Sequence, residues 1–236
     1  LNTNGESKTL FAPGRVVAYG QSIDAQAHKH PLWQLCLPSQ ASQLNQKPIN
    51  GAVVIKPNQT HQLNMPKGWI ILAEPQSVLG QVIAEISIEI PRFKPCEDDS
   101  DLNQVLSAYP SLVYALNNND YQARDDRLRA LLENLDQCLA GECLKPDSWR
   151  AKQVAEAMFL SESRFLHLFR AQLGIAWRPY LLWKRLICAL LAIKRGQSAT
   201  QAAYQAGFSD SAHLSHTLSR NLGMTSKQLL LSFKDS

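Results

Sequence analysis

Between Val154 and Gly223 one short pattern occurs twice. Val154-Ala155 aligns with Ala202-Ala203, and Leu160 with Phe208, at an offset of 48. The offset then becomes 49: Phe165 with Leu214, His167 with His216, Phe169 with Leu218, Leu173 with Leu222 and Gly174 with Gly223. Each copy reads as a short helix rich in small residues, a tight turn, and a second helix with apolar residues at i, i+4 and i+8. Gly174 and Gly223 stand where a left-handed residue closes the second helix. That is a helix-turn-helix pattern. Ala155 and Ala203 let the two helices of a copy cross closely, and the apolar stripe faces inward. The outward faces are then polar: Ser163, Arg164, His167 and Arg170 in the first copy, and Ser211, Ser215, His216 and Ser219, with Ala212 among them, in the second. The largely apolar stretch 175–195 fits one long helix joining the copies. Helices are predicted near 148–158, 161–172, 175–195, 198–206, 210–221 and 225–233.

Charge follows the same division. From Asp147 onward there are 12 Lys and Arg against five Asp and Glu, a net +7, while the preceding residues carry 12 against 15, a net −3. A basic C-terminal part on an acidic body suits contact with a polyanion. A duplex major groove accepts one helix, and successive major-groove faces lie about 34 Å apart along one side. Two reading helices on a rigid spacer match that repeat, with surrounding Lys and Arg neutralising phosphates.

The stretch from about Ser148 to Leu230 resembles the DNA-binding domain of the AraC/XylS family of bacterial transcription regulators. The likeness rests on "VA…FLSESRFLHLFRAQLG", on Arg185, Ala189 and Leu191 in the joining helix, and on "AAYQAGFSDSAHLSHTLSRNLGMT". It implies base-facing positions at Ser163, Leu166 and His167, and at Ser211, Ala212, Ser215 and His216. Arg164, Arg170 and His213 complete the expected DNA-contacting set. The chain departs from the family at His167 and His216, where Arg is usual, at Leu218-Ser219 in place of Phe-Lys, and at Ser226 in place of Pro. Replacing Arg by His gives up a permanent charge and a bidentate fork. Operator affinity is therefore expected to weaken from pH 6 to 8, measured as binding isotherms at fixed salt. His213 and His216 as a zinc pair lack further ligands nearby.

The N-terminal part reads as strands. "RVVAY", "LWQLCL", "AVVIKP", "WIILAE" and "VIAEISIEI" are separated by Gly, Pro and Asn. "AHKHPLWQLCLP" and "NGAVVIKPNQTHQLN" resemble the two short motifs of cupin folds. That resemblance implies a barrel mouth with His28, His30 and His61 as candidate ligands for a divalent metal. Gln34 stands where an acid is usual, the glycine after Pro57 is missing, and the second motif is one residue short before His61. In regulators of this kind the cupin-like domain senses a small molecule and often dimerises. The expected effector lining is His28, His30, Trp33, Gln34, His61 and Trp69.

The fold class expected is α+β in two domains: a small cupin-like β-barrel or sandwich followed by helices, then an all-α domain with two helix-turn-helix units joined by a long helix. The division is 1–100 for the sensor, 101–146 for connecting and dimerisation helices, and 147–236 for DNA binding. Within the connection, Leu128, Leu131, Leu132, Leu135 and Leu139 recur at helical spacing, for packing within the chain or against a second copy.

The function expected is a transcription regulator, not an enzyme. Its partners are double-stranded DNA, a small-molecule effector, RNA polymerase and a second copy of the chain. One alternative is a metal-dependent cupin enzyme with an appended helical domain. Another is a helical module that binds protein, distinguished by its weaker salt dependence. No apolar run reaches the roughly 18 residues of a membrane span, and no signal peptide is evident. Five scattered cysteines read as ordinary thiols of a cytoplasmic protein.

Overall fold

The computed structural model describes residues 9–49, 51–86, 102–118, 123–140 and 149–232. Its contacts form two compact units: 1–120 together with 215–236, and 121–214. This differs from the division by chain order given above, because the last helix, α10 (Ser226–Ser232), packs along strand β2 (Arg15–Asp24) of the N-terminal sheet.

Among the described residues, the first unit is built on one antiparallel sheet of seven strands. Besides β2 these are β1 (Thr9–Ala12), β3 (Trp33–Pro38), β4 (Ser42–Leu44), β5 (Lys47–Ile49), β6 (Val53–Ile55) and β7 (Leu63–Ala73). The path runs β1-β2-β7-β3-β6, with β4 pairing both β5 and β7. Period-2 alternation sorts the side chains. Val17 and Tyr19 of β2, Leu35 and Leu37 of β3, and Trp69, Ile71 and Ala73 of β7 share one buried face. Three helices close that face: α1 (Val78–Ile86), α2 (Leu102–Val105) and α3 (Pro110–Asn117), through Leu79, Ile83, Leu102, Leu112 and Leu116.

α1 corrects the strand reading of "VIAEISIEI". Residues 82–86 of that run are helical, and 87–90 lie outside the described residues. Leu79, Ile83 and Ile86 are buried at helical spacing, and the Ser77 hydroxyl accepts from the Gly80 amide at 3.0 Å as an N-cap. The β-branched content of the run obscured both signals.

The second unit is helical: α4 (Asp126–Asp136) with a 3₁₀ turn (Gln137–Ala140), α5 (Ala151–Ala157), α6 (Glu162–Leu173), α7 (Trp177–Lys194) and α8 (Ala199–Gln205). The next helix, α9 (Ser211–Leu222), spans the division between the units. All six helices expected after residue 147 are present within about three residues of their expected limits. Leu128, Leu131, Leu132 and Leu135 are buried within the single chain, so this stripe is not an open face for a second copy. α4 is tied to the helices beyond it by polar contacts. Lys184 Nζ meets Asp136 Oδ1 at 2.7 Å, with both side chains almost fully buried. The Arg127 guanidinium donates to the Met158 carbonyl, and Gln172 Oε1 accepts from the amides of Arg124 and Asp125. Phe165 and Phe169 of α6 meet Trp177 of α7 edge-on at centroid distances of 5.2 and 5.1 Å.

Cys188 on α7 is disulfide-bonded, which corrects the expectation of five ordinary thiols. An odd, scattered set of cysteines gave no spacing from which one crosslink could be read. Cys36 is a buried free thiol whose ionisation burial pushes up to about 12. No described helix is long and apolar enough to cross a membrane.

Candidate nucleic-acid interface and the buried histidine cluster

In both copies the second helix is amphipathic in the expected sense. On α6, Phe165, Phe169 and Leu173 are buried, whereas Ser163, Arg164, Leu166, His167 and Arg170 are exposed. On α9, Leu214 and Leu218 are fully buried. Ala212, His213 and His216 are exposed, and Ser211 and Ser215 are half-buried. The helices start at side-chain caps. Ser161 Oγ accepts from the Arg164 amide at 3.3 Å, and Asp210 Oδ1 accepts from the His213 amide at 2.7 Å. That bond and the Ser209 hydroxyl hold the Asp210 carboxyl below the usual carboxylate range. Both second helices end at left-handed glycines, Gly174 at φ 68° and Gly223 at φ 71°.

The ten residues expected at the DNA surface thus lie on two helix faces, eight of them exposed. His213 is tied locally: its Nδ1 lies 3.0 Å from Ser209 Oγ, and its ring meets Phe208 edge-on. Among the described residues, the group of three or more metal-ligating side chains found together is the N-terminal one, not one built on His213 and His216.

That N-terminal group is His28, His30 and His61, all buried, with one ring nitrogen from each lying within 4.8 Å of the others. Local backbone pairing brings them together. His28 and His61 exchange both amide-to-carbonyl bonds at 2.9 Å, and the Asn58 amide donates to the His30 carbonyl at 2.7 Å. The Asn45 side chain and amide hold Gln62 from the neighbouring turn. Each imidazole is oriented by an acceptor on its outer side. His28 Nδ1 donates to the Gln26 carbonyl at 2.8 Å and His61 Nδ1 to the Gln59 carbonyl at 2.9 Å. His30 Nε2 donates to Gln34 Oε1 at 2.8 Å, while Gln34 Nε2 donates to Cys36 Sγ and so fixes the amide. Burial lowers the His28 and His30 pKa values to about 4, against smaller opposing contributions from the Gln26 carbonyl for His28, and from Gln34 and the Leu32 backbone for His30. Burial lowers His61 as well.

The structure does not gather the whole expected effector lining. Gln34 faces the histidines, but Trp33 and Trp69 pack on the opposite side of the sheet with α1–α3. Consecutive strand residues point to opposite faces, so Trp33 and Gln34 cannot line one cavity. Sequence reasoning also missed residues 25–28 as a contact surface. The Gln26 amide donates to the Gly223 carbonyl at 2.9 Å, and a Cβ on Gly223 would lie 2.5 Å from the Gln26 carbonyl oxygen and 2.6 Å from His28 Nδ1. Only the αL glycine that ends α9 marked that position in the sequence.

A repeated helix pair with a buried apolar stripe and an exposed polar face defines a helix-turn-helix protein. Residues 154–231, about a third of the chain, match the family described as a helix-turn-helix domain, the same stretch in which the residue pattern resembles AraC-type domains. The probable transcriptional regulator LumQ of Photobacterium leiognathi is 29% identical over 144 residues, 59% of this chain and 56% of that protein. The match therefore spans little more than half of that relative. An apo structure of ToxT from Vibrio cholerae superposes at a TM-score of 0.51 with 11% identity, over 95% of this chain and 100% of that one. A second ToxT structure gives 0.50 at 14% identity, over 94% and 98%. At such identities the likeness concerns the fold: a sheet-rich N-terminal part followed by a helical one.

Proposed function

We propose that the chain is a sequence-specific DNA-binding transcription regulator, working in the cytoplasm, whose N-terminal β-domain is its sensor half. The observation that carries the reading is the double presentation within the helix-turn-helix domain. Two helices bury the same apolar positions and expose Arg164, His167 and Arg170 on one, and Ala212, His213 and His216 on the other. These faces suit base edges and phosphates. The basic C-terminal part supplies the sequence-independent share of the affinity. RNA polymerase is the partner through which such binding alters transcription. The cupin-enzyme alternative leaves the duplicated exposed faces without a role.

Selection of bound duplexes from a random pool tests this. The expected result is an enriched site with two conserved blocks about one helical turn apart. Affinity for that site should fall steeply as salt rises. Recovery of no preferred sequence, together with affinity insensitive to salt, would overturn the reading in favour of a protein-binding module.

A further inference from the structure

Three imidazoles in one buried place each have a defined proton. An acceptor oxygen can only accept, so the ring nitrogens facing Gln26, Gln59 and Gln34 carry hydrogen. The opposite nitrogens, His28 Nε2, His30 Nδ1 and His61 Nε2, therefore carry lone pairs. Two of these, His30 Nδ1 and His61 Nε2, are buried with no hydrogen-bond partner. Buried polar atoms are ordinarily satisfied, and each exception calls for a physical explanation, of which a bound ion is one. The rings are tilted against one another, with centroids 4.2 to 5.7 Å apart, and His30 meets His61 edge-on. Three lone pairs converging without a donor repel one another unless a cation lies between them. The outer hydrogen bonds to carbonyl oxygens are the arrangement that fixes metal-ligating histidines in one tautomer and raises their basicity.

The structure assigns His28 Nε2, His30 Nδ1 and His61 Nε2 as ligands of one divalent metal of the zinc class, whose binding braces the C-terminal end of reading helix α9. The coupling runs through one short segment. The His28 ring and the Gln26 carbonyl that orients it are the same groups that lie against Gly223. The Gln26 amide holds the Gly223 carbonyl, and the Gly223 amide in turn bonds the Ser219 carbonyl within α9. Metal fixes the His28 ring, the ring fixes residues 26–28, and these hold the helix terminus. Three imidazoles leave at least one coordination position open, so a small anionic or neutral ligand can join the metal from solution. Imidazole-only coordination suits zinc, copper, nickel or iron. That α9 reads DNA is taken from the proposed function. The metal site and the brace are tested without DNA.

The full chain, stripped with chelator, is titrated with Co(II) and separately with Zn(II). One equivalent is expected to bind, with visible Co(II) bands of a nitrogen-ligated four- or five-coordinate site. His61→Gln and His28→Gln should each lower the affinity by at least about tenfold while far-ultraviolet circular dichroism shows the chain folded. The second readout is amide exchange. Zn(II) should slow exchange at Gln26, His28, His61 and Gly223 by about tenfold and leave Gly174, at the end of α6, unchanged. Binding below half an equivalent, or bands that survive both histidine substitutions, would overturn the metal site. One bound equivalent with unaltered exchange at Gly223 would overturn the brace. Failure to select a DNA site would overturn the proposed function and leave both of these readouts intact.

Discussion

The two helix-turn-helix units share their framework and differ in their turns and ends. Both close their second helix at a left-handed glycine, and both bury an aromatic or leucine at the same two positions. The turn of the second unit uses Gly207 at φ 86°, where glycine meets no steric penalty. The first unit places Phe159 there, at φ 55° and 94% exposed. α8 begins with a reciprocal capping box between Ser198 and Gln201, whereas α5 begins at Arg150 with no side-chain cap. At the far ends, Gly174 is exposed, while Gly223 is buried against residues 25–28. Duplication preserved what sets the helix crossing. The differences fall where one unit is locally strained and the other carries an added contact.

The shared framework carries the largest expected effect. Phe165→Ala should cost about 4 kcal/mol and Leu214→Ala about 3 kcal/mol of stability, read as urea midpoints. A loss below about 1 kcal/mol at either position would show that the units do not rest on the same stripe. The next effect separates the two ends. His28 and His30 have folded pKa values near 4, below the unfolded value of about 6.5. Their neutral forms are favoured by folding, so this stability is fully present above about pH 6.5. It is lost as pH falls towards 4, by about 1.4 kcal/mol per pH unit for each group. In chelator-treated protein, acidification through this window should speed amide exchange at Gly223 before it does so at Gly174. Equal responses at the two glycines would erase the distinction.

Smaller effects test the turns. Gly207→Ala should destabilise by about 1–2 kcal/mol, since its Cβ enters at positive φ and only 3.3 Å from Arg185 Nε. Phe159→Gly should do the reverse and raise stability by about 0.5–1 kcal/mol, measured as an increase in Tm. A fall in Tm would mean that the exposed ring contributes more than its backbone costs.

The helical part was legible in the sequence because its evidence is doubled. The closing glycines, the small residues and the apolar stripe each had a counterpart 48 or 49 residues away, and local propensity agreed with the pattern. The N-terminal part had no second copy to consult. There, Val82, Ile83 and Ile86 suggested a strand, while Ser77 and the Leu79–Ile83–Ile86 spacing supported the helix that forms. His28, His30 and His61 were legible as a group from their motifs, and their convergence follows from the 28–61 pairing. Strand alternation alone could have removed Trp33 from the company of Gln34. The approach of residues 25–28 to Gly223 could not be read, because it depends on two segments nearly 200 residues apart meeting in space. The Cys188 crosslink was hidden because the odd, scattered cysteines offered no spacing from which to read it.

The ion pair between Lys184 and Asp136 has a mechanical consequence. Leucines in a seam are interchangeable: a helix lined with them can slide one turn, about 5.4 Å, and bury similar area. Displacing α4 along α7 by that amount would strand an ammonium and a carboxylate away from water, a cost of several kcal/mol for each. The pair therefore acts as a detent on the seam, and a pull on α4 is passed on to α7 as movement instead of being dissipated in slippage.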